Sequence, residues 1–322
     1  MYPTQLPPAL WEGRVESLLA AAVAKNTAAT YRRALDSFTK FRIQYMLPAL
    51  WPPSDEQIVY YLAYLSANNI SHSSAKCYIS GLSYQLQIQG KQDTTKVFIV
   101  KKMLEGMHRL NPSNDIRAPI SPPPLLNCIT LTLPSVCKNY YEATLFTLAF
   151  HLAFFALLRI SELTVSHNSS LVISIQDLQF LQNQIQLTIR GSKTDQYANS
   201  LIVHIGLSND TSHTTTLFQT LQQYLHSIPR SPVPLLLHLN GKPLTSYQFT
   251  SILRKTLQFI KVDTSTFKSY SFQIGGATYM HLLGVSEEDI KIKGRWKSSA
   301  VKSYIRVWYF IISKCLQHFI GY

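Results

Sequence analysis

Five prolines, Pro112, Pro119, Pro122, Pro123 and Pro124, crowd the segment from Asn111 to Pro124. Proline has no backbone N–H and a fixed φ, so neither a helix nor a central strand can run through such a segment. It favours extended, semi-rigid chain. The chain is therefore divided in two, and at 322 residues each part is long enough to bury a core of its own. This sets the expected organisation: a helical domain over 1–110, a proline-bearing linker over 111–124, a larger domain over 125–306, and an atypical apolar tail over 307–322.

The first part reads as helices. Residues Glu12 to Asn26 are alanine-rich, and Thr27 is expected to cap a longer helix, TAATYRRALDSFTKFRIQYM. There Tyr31, Leu35 and Phe38 share one face, while Arg32, Arg33, Lys40 and Arg42 lie largely elsewhere. Trp51-Pro52-Pro53 ends that unit. Ser54 with Gln57 forms a capping box ahead of an apolar stripe, Ile58, Tyr61, Leu62 and Leu65. Further helices are expected over Ser74–Gln87 and Thr95–Leu110. The latter turns Val97, Val100, Leu104 and Met107 inward and Lys96, Lys101, Lys102 and Arg109 outward. Four or five helices make a small bundle, with DNA binding one reading of it.

Beyond the linker, helices are expected near Pro122–Cys128, Tyr140–Leu158, Leu217–His226 and Ser246–Ile260. Strands are read at Leu171–Ile175, Gln184–Ile189 and Ser200–Ile205, where polar and apolar residues alternate. Leu235-Leu236-Leu237 is a buried run. The pattern is mainly α with one small sheet. The most apolar run, Ala143–Leu158, is shorter than the roughly 20 residues a membrane span needs, so it reads as a buried helix.

The formal net charge is +13, with 13 Lys/Arg against 8 Asp/Glu through Ala118 and 17 against 9 afterwards. A chain basic in both halves suits a surface that wraps a polyanion, against the blander alternative of a generally basic solvated surface. Cys77, Cys128, Cys137 and Cys315 form no C-x-x-C pair and no metal spacing, as expected of free thiols in a reducing compartment. The N-terminal MYPTQLPPALWEG carries no secretory pattern, so an intracellular protein is expected. No glycine-rich phosphate loop or Ser/His/Asp arrangement stands out.

The densest chemistry lies in Phe267–Arg306, FKSYSFQIGGATYMHLLGVSEEDIKIKGRWKSSAVKSYIR. A helix opens near Ser271, and Gly275-Gly276 lets a neighbouring backbone approach. After the turn at Gly284, Ser286 followed by Glu287, Glu288 and Asp289 starts another helix. Lys291, Lys293, Arg295, Lys297, Lys302 and Arg306 then surround Trp296 and Tyr304. Interleaved cations and aromatics again suit a polyanion.

This order of motifs resembles the C-terminal signature of the tyrosine recombinases (integrases), especially those of eukaryotic transposable elements. Two earlier segments are similar to the same family: Leu157-Leu158-Arg159-Ile160-Ser161-Glu162-Leu163, and the turn Arg190-Gly191-Ser192-Lys193-Thr194-Asp195-Gln196. The likeness covers about Thr27 to Arg306. It implies a helical, SAM-like core-binding domain joined to a catalytic domain of the DNA breaking-rejoining enzyme fold, the two closing around DNA as a C-shaped clamp.

The resemblance also implies a chemistry. A tyrosine hydroxyl attacks a backbone phosphate to give a 3′-phosphotyrosyl link, which a 5′-hydroxyl later displaces, without metal or other cofactor. Two arginines grip the non-bridging oxygens, a lysine protonates the departing oxygen, and a histidine or tryptophan donates a further hydrogen bond. Matched position by position, Arg159 stands at the first arginine, Lys193 at the lysine, Trp296 at the His/Trp donor and Tyr304 at the nucleophile. The family's His-x-x-Arg block falls on Tyr270 and Gln273, both departures, and the loss of the second arginine is expected to impair cleavage. Arg32, Arg33, Lys101, Lys102, Arg117, Arg190, Arg295 and Lys297 are expected to face DNA.

The implied partner is double-stranded DNA, with a homo-oligomer assembled on it, no membrane and no small-molecule substrate. The implied setting is the nucleus, and the implied source a transposable element or a domesticated copy. Two alternatives stand beside this one: an active recombinase in which another basic side chain replaces the arginine, and a non-catalytic DNA-binding or regulatory protein. The tail after Arg306 is more apolar than the family's ends. It is read as a segment that packs on a neighbouring protomer or as an unspliced extension of the gene.

Overall fold

The computed structural model describes residues 8–112, 115–120, 124–165, 172–182, 184–190, 200–206, 212–228, 234–296 and 300–307. They divide into two compact units between Asp115 and Ile116. Lys193, Lys297 and the tail beyond residue 307 lie outside the described residues.

The first unit comprises α1 (Pro8–Ala21), α2 (Lys25–Gln44), α3 (Asp55–Ala67), α4 (His72–Ile88) and α5 (Phe98–Leu110). Its core gathers Phe38 and Phe41 from α2, Ile58, Tyr61, Leu62 and Leu65 from α3, Ala75, Ile79 and Leu82 from α4, and Val100 and Met107 from α5. α2 and α4 meet closely at Gly81, where an added Cβ would stand 2.9 Å from the Ala34 Cβ. Thr27 does not cap α2: the helix begins two residues earlier, with Ala24 at the cap and no side-chain bond to it. Ser54 caps α3 by accepting the Gln57 N–H at 3.2 Å, but the Gln57 amide turns to Pro48 O at 3.0 Å, leaving the box half made. Ahead of α5 a short 3-10 turn, Thr94–Lys96, replaces the first helical residues expected there. Its cap Asp93 accepts from Ser83, Gln87 and Thr95.

The second unit is built on α7 (Tyr140–Phe155), which is buried on all sides from Leu148 to Phe155 and therefore carries no polar face. Around it pack α6 (Pro124–Val136), α9 (Ser212–Ser227), α10 (Ser246–Phe259) and α11 (Tyr270–Leu282). Among the described residues, no helix is long and apolar enough to cross a membrane. A three-stranded antiparallel sheet, β1 (Leu178–Leu181), β2 (Gln184–Ile189) and β3 (Leu201–Gly206), lies in sequence order. In β2 the alternation places Ile185, Leu187 and Ile189 inward, opposite Ile205, Val203 and Leu201. The strand expected at Leu171–Ile175 is instead displaced to β1. Asp177 accepts from Ser174 N at 2.8 Å and Ser174 Oγ at 3.0 Å, which winds Ile175–Asp177 into a 3-10 turn.

Residues 118–120 of the proline segment are pinned to the second unit. Ala118 N donates to Thr266 O at 3.0 Å and Ile120 N to Ser271 O at 2.9 Å, with both side chains buried. Three short helices complete the unit: α8 (Ile160–Leu163), α12 (Glu287–Gly294) and α13 (Val301–Tyr304).

Candidate functional site

Three breaks in the helical chain meet at one place. The first follows α7, which stops at Phe155 rather than running to Leu158. Leu157 takes the left-handed conformation, φ 50°, and its side chain is fully buried. Arg159 is therefore the N-cap of α8, not the end of a long helix. Its N–H donates to Glu162 Oε2 at 2.8 Å and its Nη1 to Glu162 Oε1 at 3.2 Å.

The second break is the start of α11. Gly275 and Gly276 let this helix press against two backbones: a Cβ at 275 would collide with the Ile120 carbonyl, and one at 276 with the Phe154 carbonyl. So held, α11 brings Gln273 inward, 1% exposed, with Nε2 donating to Leu157 O at 2.8 Å. Tyr270, one turn earlier, stays 39% exposed beneath the Arg117 guanidinium, 5.2 Å from the ring centroid.

The third break ends α12. Arg295 N bonds to Ile292 O and Trp296 N to Lys291 O, both at 3.0 Å, which is a Schellman closure around Arg295 at φ 57°. Glycine is the usual residue at that left-handed position; a residue with a Cβ is disfavoured there by about 1–2 kcal/mol. The glycine stands one position early, at 294, where any Cβ would enter the Trp296 ring. That ring packs on Tyr304, with centroids 4.4 Å apart and planes at 32°. Around the pair sit Leu157, Ala277, Ile290 and Val301. The chain holding Tyr304 is fixed by Thr278, whose Oγ1 lies 3.1 Å from Tyr304 O and accepts the Arg306 N–H at 2.9 Å. The Arg306 guanidinium reaches the carbonyls of Arg117 and Ser303.

Arg295 corrects a sequence expectation. Expected among the DNA-facing cations, it is buried instead. Its Nη2 donates to Glu162 Oε2 at 2.6 Å and Leu157 O at 3.0 Å, and its Nη1 to Lys293 O at 2.8 Å. Burial pulls its pKa below the usual arginine value and Glu162 opposes this, so the guanidinium stays charged. Arg159 in turn sends Nη2 to the Gly294 and Arg295 carbonyls at 3.3 and 3.2 Å, at the negative end of α12. Glu162, 3% exposed, is thus shared by two guanidiniums. Lys293 is also affected by burial, which lowers its ammonium to about 8.

Arg159, more than a hundred residues earlier in the chain, and Gln273, Trp296 and Tyr304 therefore share one small region around Leu157 and the end of α12. Of the remaining expected cations, Arg32, Arg33, Lys101 and Lys102 are exposed on the first unit, the last paired with Glu105 at 2.8 Å. Arg190 is half-exposed and bonded to Asp177 at 2.6 Å. In the sequence Glu162 stands out only as a neighbour of Arg159, and the spacing gives no sign that it also meets Arg295. Among the described residues no cluster of His, Cys, Asp or Glu could hold a metal ion.

No protein-family model and no curated protein sequence matches the chain. Solved structures do. A XerH site-specific recombinase bound to palindromic difH substrate, in a post-cleavage complex, superposes with a TM-score of 0.65 at 14% identity, covering 95% of this chain and 83% of that one. The Tn1549 transposon integrase in complex with circular intermediate DNA gives 0.61 at 14%, covering 91% and 95%. A lambda integrase dimer bound to a COC′ core site gives 0.59 at 14%, covering 94% and 77%. The chain has the mainly α, small-sheet fold of the tyrosine recombinases.

Proposed function

We propose that this protein binds double-stranded DNA as a recombinase of the tyrosine type, in DNA recombination or integration, and that it derives from a transposable element working in the nucleus. One observation carries the reading: Arg159 meets the position of the absent arginine, Trp296 and Tyr304 in one region, although more than a hundred residues separate it from all three. The fold neighbours are DNA-bound recombinases and integrases, which supports the same view.

In the reaction proposed, the Tyr304 hydroxyl oxygen bonds to a backbone phosphorus as the bond from phosphorus to the 5′ oxygen breaks. The phenolic proton is lost to solvent, and Lys193 gives the departing 5′ oxygen its proton. A 5′-hydroxyl from another strand reverses these steps, so the phosphodiester is conserved. Charge gathers on the phosphate oxygens in the five-coordinate state, and the Arg159 guanidinium, held by Glu162 and the carbonyls of Gly294 and Arg295, brings a positive charge to meet it. Gln273 is neutral and already committed to Leu157 O. Losing one preorganised donor typically costs about 10²–10³ in rate, so cleavage by Tyr304 is slow.

The test uses purified full-length protein and a pool of nicked duplexes of randomised sequence. Binding should weaken steeply with salt, the slope falling by about one for each phosphate-contacting cation removed, as in Arg32→Ala or Arg33→Ala. A small amount of detergent-resistant protein–DNA adduct should form, absent in Tyr304→Phe and increased by Gln273→Arg. Abundant adduct in the unaltered protein would overturn the slow-cleavage part. Failure to bind duplex DNA would overturn the whole.

A further inference from the structure

A guanidinium is missing from α11, yet one arrives at the same carbonyl from another side. Arg295 Nη2 donates to Leu157 O at 3.0 Å, the acceptor that the Gln273 amide also takes at 2.8 Å. Both residues that frame this contact are held in left-handed backbone, Leu157 at φ 50° and Arg295 at φ 57°.

The charges show what the arrangement achieves. Arg159 and Glu162 form an ion pair, and by themselves they cancel. Gln273 adds nothing. Glu162 Oε2, however, also takes Arg295 Nη2 at 2.6 Å, so the buried group of two arginines, one glutamate and one glutamine keeps one net positive charge. Without Arg295 it would be neutral, and a neutral pocket has little to offer a phosphate. Arg295 itself points inward, bonding to Glu162, Leu157 O and Lys293 O, so it acts through Glu162 and Arg159 and not by touching the phosphate.

We propose, on the strand-cleavage reading above, that Arg295 is a positioning residue that stands in for the arginine absent from position 273: by sharing Glu162 it leaves the pocket a net positive charge and holds Arg159 ready for a phosphate oxyanion.

Four variants test this: Arg295→Gln, Arg295→Lys, Arg295→Gln with Gln273→Arg, and Arg295→Gln with Glu162→Gln. Each is measured in two ways, by the rise in melting temperature on adding inorganic sulfate or orthovanadate, and by Tyr304-linked adduct on the randomised nicked duplexes. Arg295→Gln should lose the oxyanion-induced rise and cut adduct by about 10²–10³. Both double variants restore the net charge, one by adding a guanidinium and one by removing a carboxylate, and should recover at least tenfold. Arg295→Lys should fall between. An oxyanion response absent from both double variants, although their charge is restored, overturns the proposal. So does an unchanged oxyanion response in Arg295→Gln, or none in any variant. If Arg295→Gln alone does not fold, the variant with Glu162→Gln still decides, since it leaves no buried carboxylate unpaired. An oxyanion response that follows the charge, with no DNA binding or adduct anywhere, supports the role of Arg295 and overturns the strand-cleavage reading. Adduct formation indifferent to Arg295 does the reverse.

Discussion

Gly276→Ala puts a single methyl group into the contact that positions the candidate site. The new Cβ would collide with the Phe154 carbonyl and stand 2.7 Å from Leu157 Cδ2 and 3.2 Å from the Phe154 carbonyl carbon. Two of these three atoms belong to the α7 backbone, so no rotamer change relieves the clash and α11 must move. Overpacking of this kind costs about 1–3 kcal/mol, and a backbone obstacle places it near the top, at ~3 kcal/mol. Alanine's better helix propensity returns ~1 kcal/mol, leaving ~2 kcal/mol of net destabilisation. For a unit of about 200 residues, each kcal/mol shifts the transition by about 2–4 °C, so the second unit should melt ~4–8 °C lower. Gly106→Ala in α5 is the control. Nothing lies within 4 Å of a Cβ there, so the same substitution should gain ~0.5–1 kcal/mol. Scanning calorimetry of both variants beside the unaltered protein reads the difference directly. If Gly276→Ala melts at or above the unaltered protein while Gly106→Ala behaves as expected, then α11 and α7 are not in the contact described, and the placement of Gln273 against Leu157 fails with it.

Two further predictions concern charge. Burial lowers the Lys293 ammonium to about 8, below its unfolded value near 10.4, so folding carries a penalty that is complete below about pH 8 and fades as pH rises towards 10.4. Lys293→Met should therefore raise the melting temperature at pH 7, with an advantage that shrinks between pH 8 and 10; a constant advantage across that range would refute it. In the first unit, burial would raise the Asp93 carboxyl, but hydrogen bonds from Ser83, Thr95, Gln87 and Lys96 outweigh it and hold the group well below the usual carboxylate range. Asp93→Asn should cost about 1–3 kcal/mol at pH 7. Because the folded value is depressed, that difference is fully present above about pH 4 and should shrink as the pH falls below it, as urea titrations at pH 7 and pH 3 would reveal.

Much of this architecture was legible in the residues because it rests on periodic or local signals. The stripe Ile58, Tyr61, Leu62, Leu65 became the buried face of α3, and the alternation of Gln184–Ile189 set β2 residue for residue. Gly275-Gly276 was read as a place of close backbone approach, and two carbonyls stand there. The misreadings arose where a side chain took over the backbone's hydrogen bonding. Asp177 wound residues 175–177 into a turn at the end of the stretch, Leu171–Ile175, that alternation had marked as strand. Glu162 accepted the Arg159 N–H and began a new short helix, where the run of apolar residues suggested that α7 continued. Neither event has a period, so hydrophobic patterning cannot reveal it. The inward turn of Arg295 was hidden for a related reason: a lone arginine among lysines reads as a surface cation, and only the conformation of the helix end decides otherwise.

That helix end explains why Gly294, Arg295 and Trp296 work as one unit. In an ordinary closure of α12 the glycine would occupy the left-handed position, and the following residue would leave along the surface. Here the glycine comes one residue too soon for that purpose, and its lack of a Cβ serves the Trp296 ring, which any side chain at 294 would push away from Tyr304. Displacing the glycine obliges Arg295 to take the left-handed turn, and the same turn carries its guanidinium to Glu162 and Leu157 O. The two outcomes are therefore coupled. An arginine at 294 with glycine at 295 would relieve the backbone, yet it would both displace the tryptophan from the tyrosine and withdraw the charge from the glutamate. The local rule is broken where one tripeptide then supplies both the ring that packs on Tyr304 and a second guanidinium for Glu162.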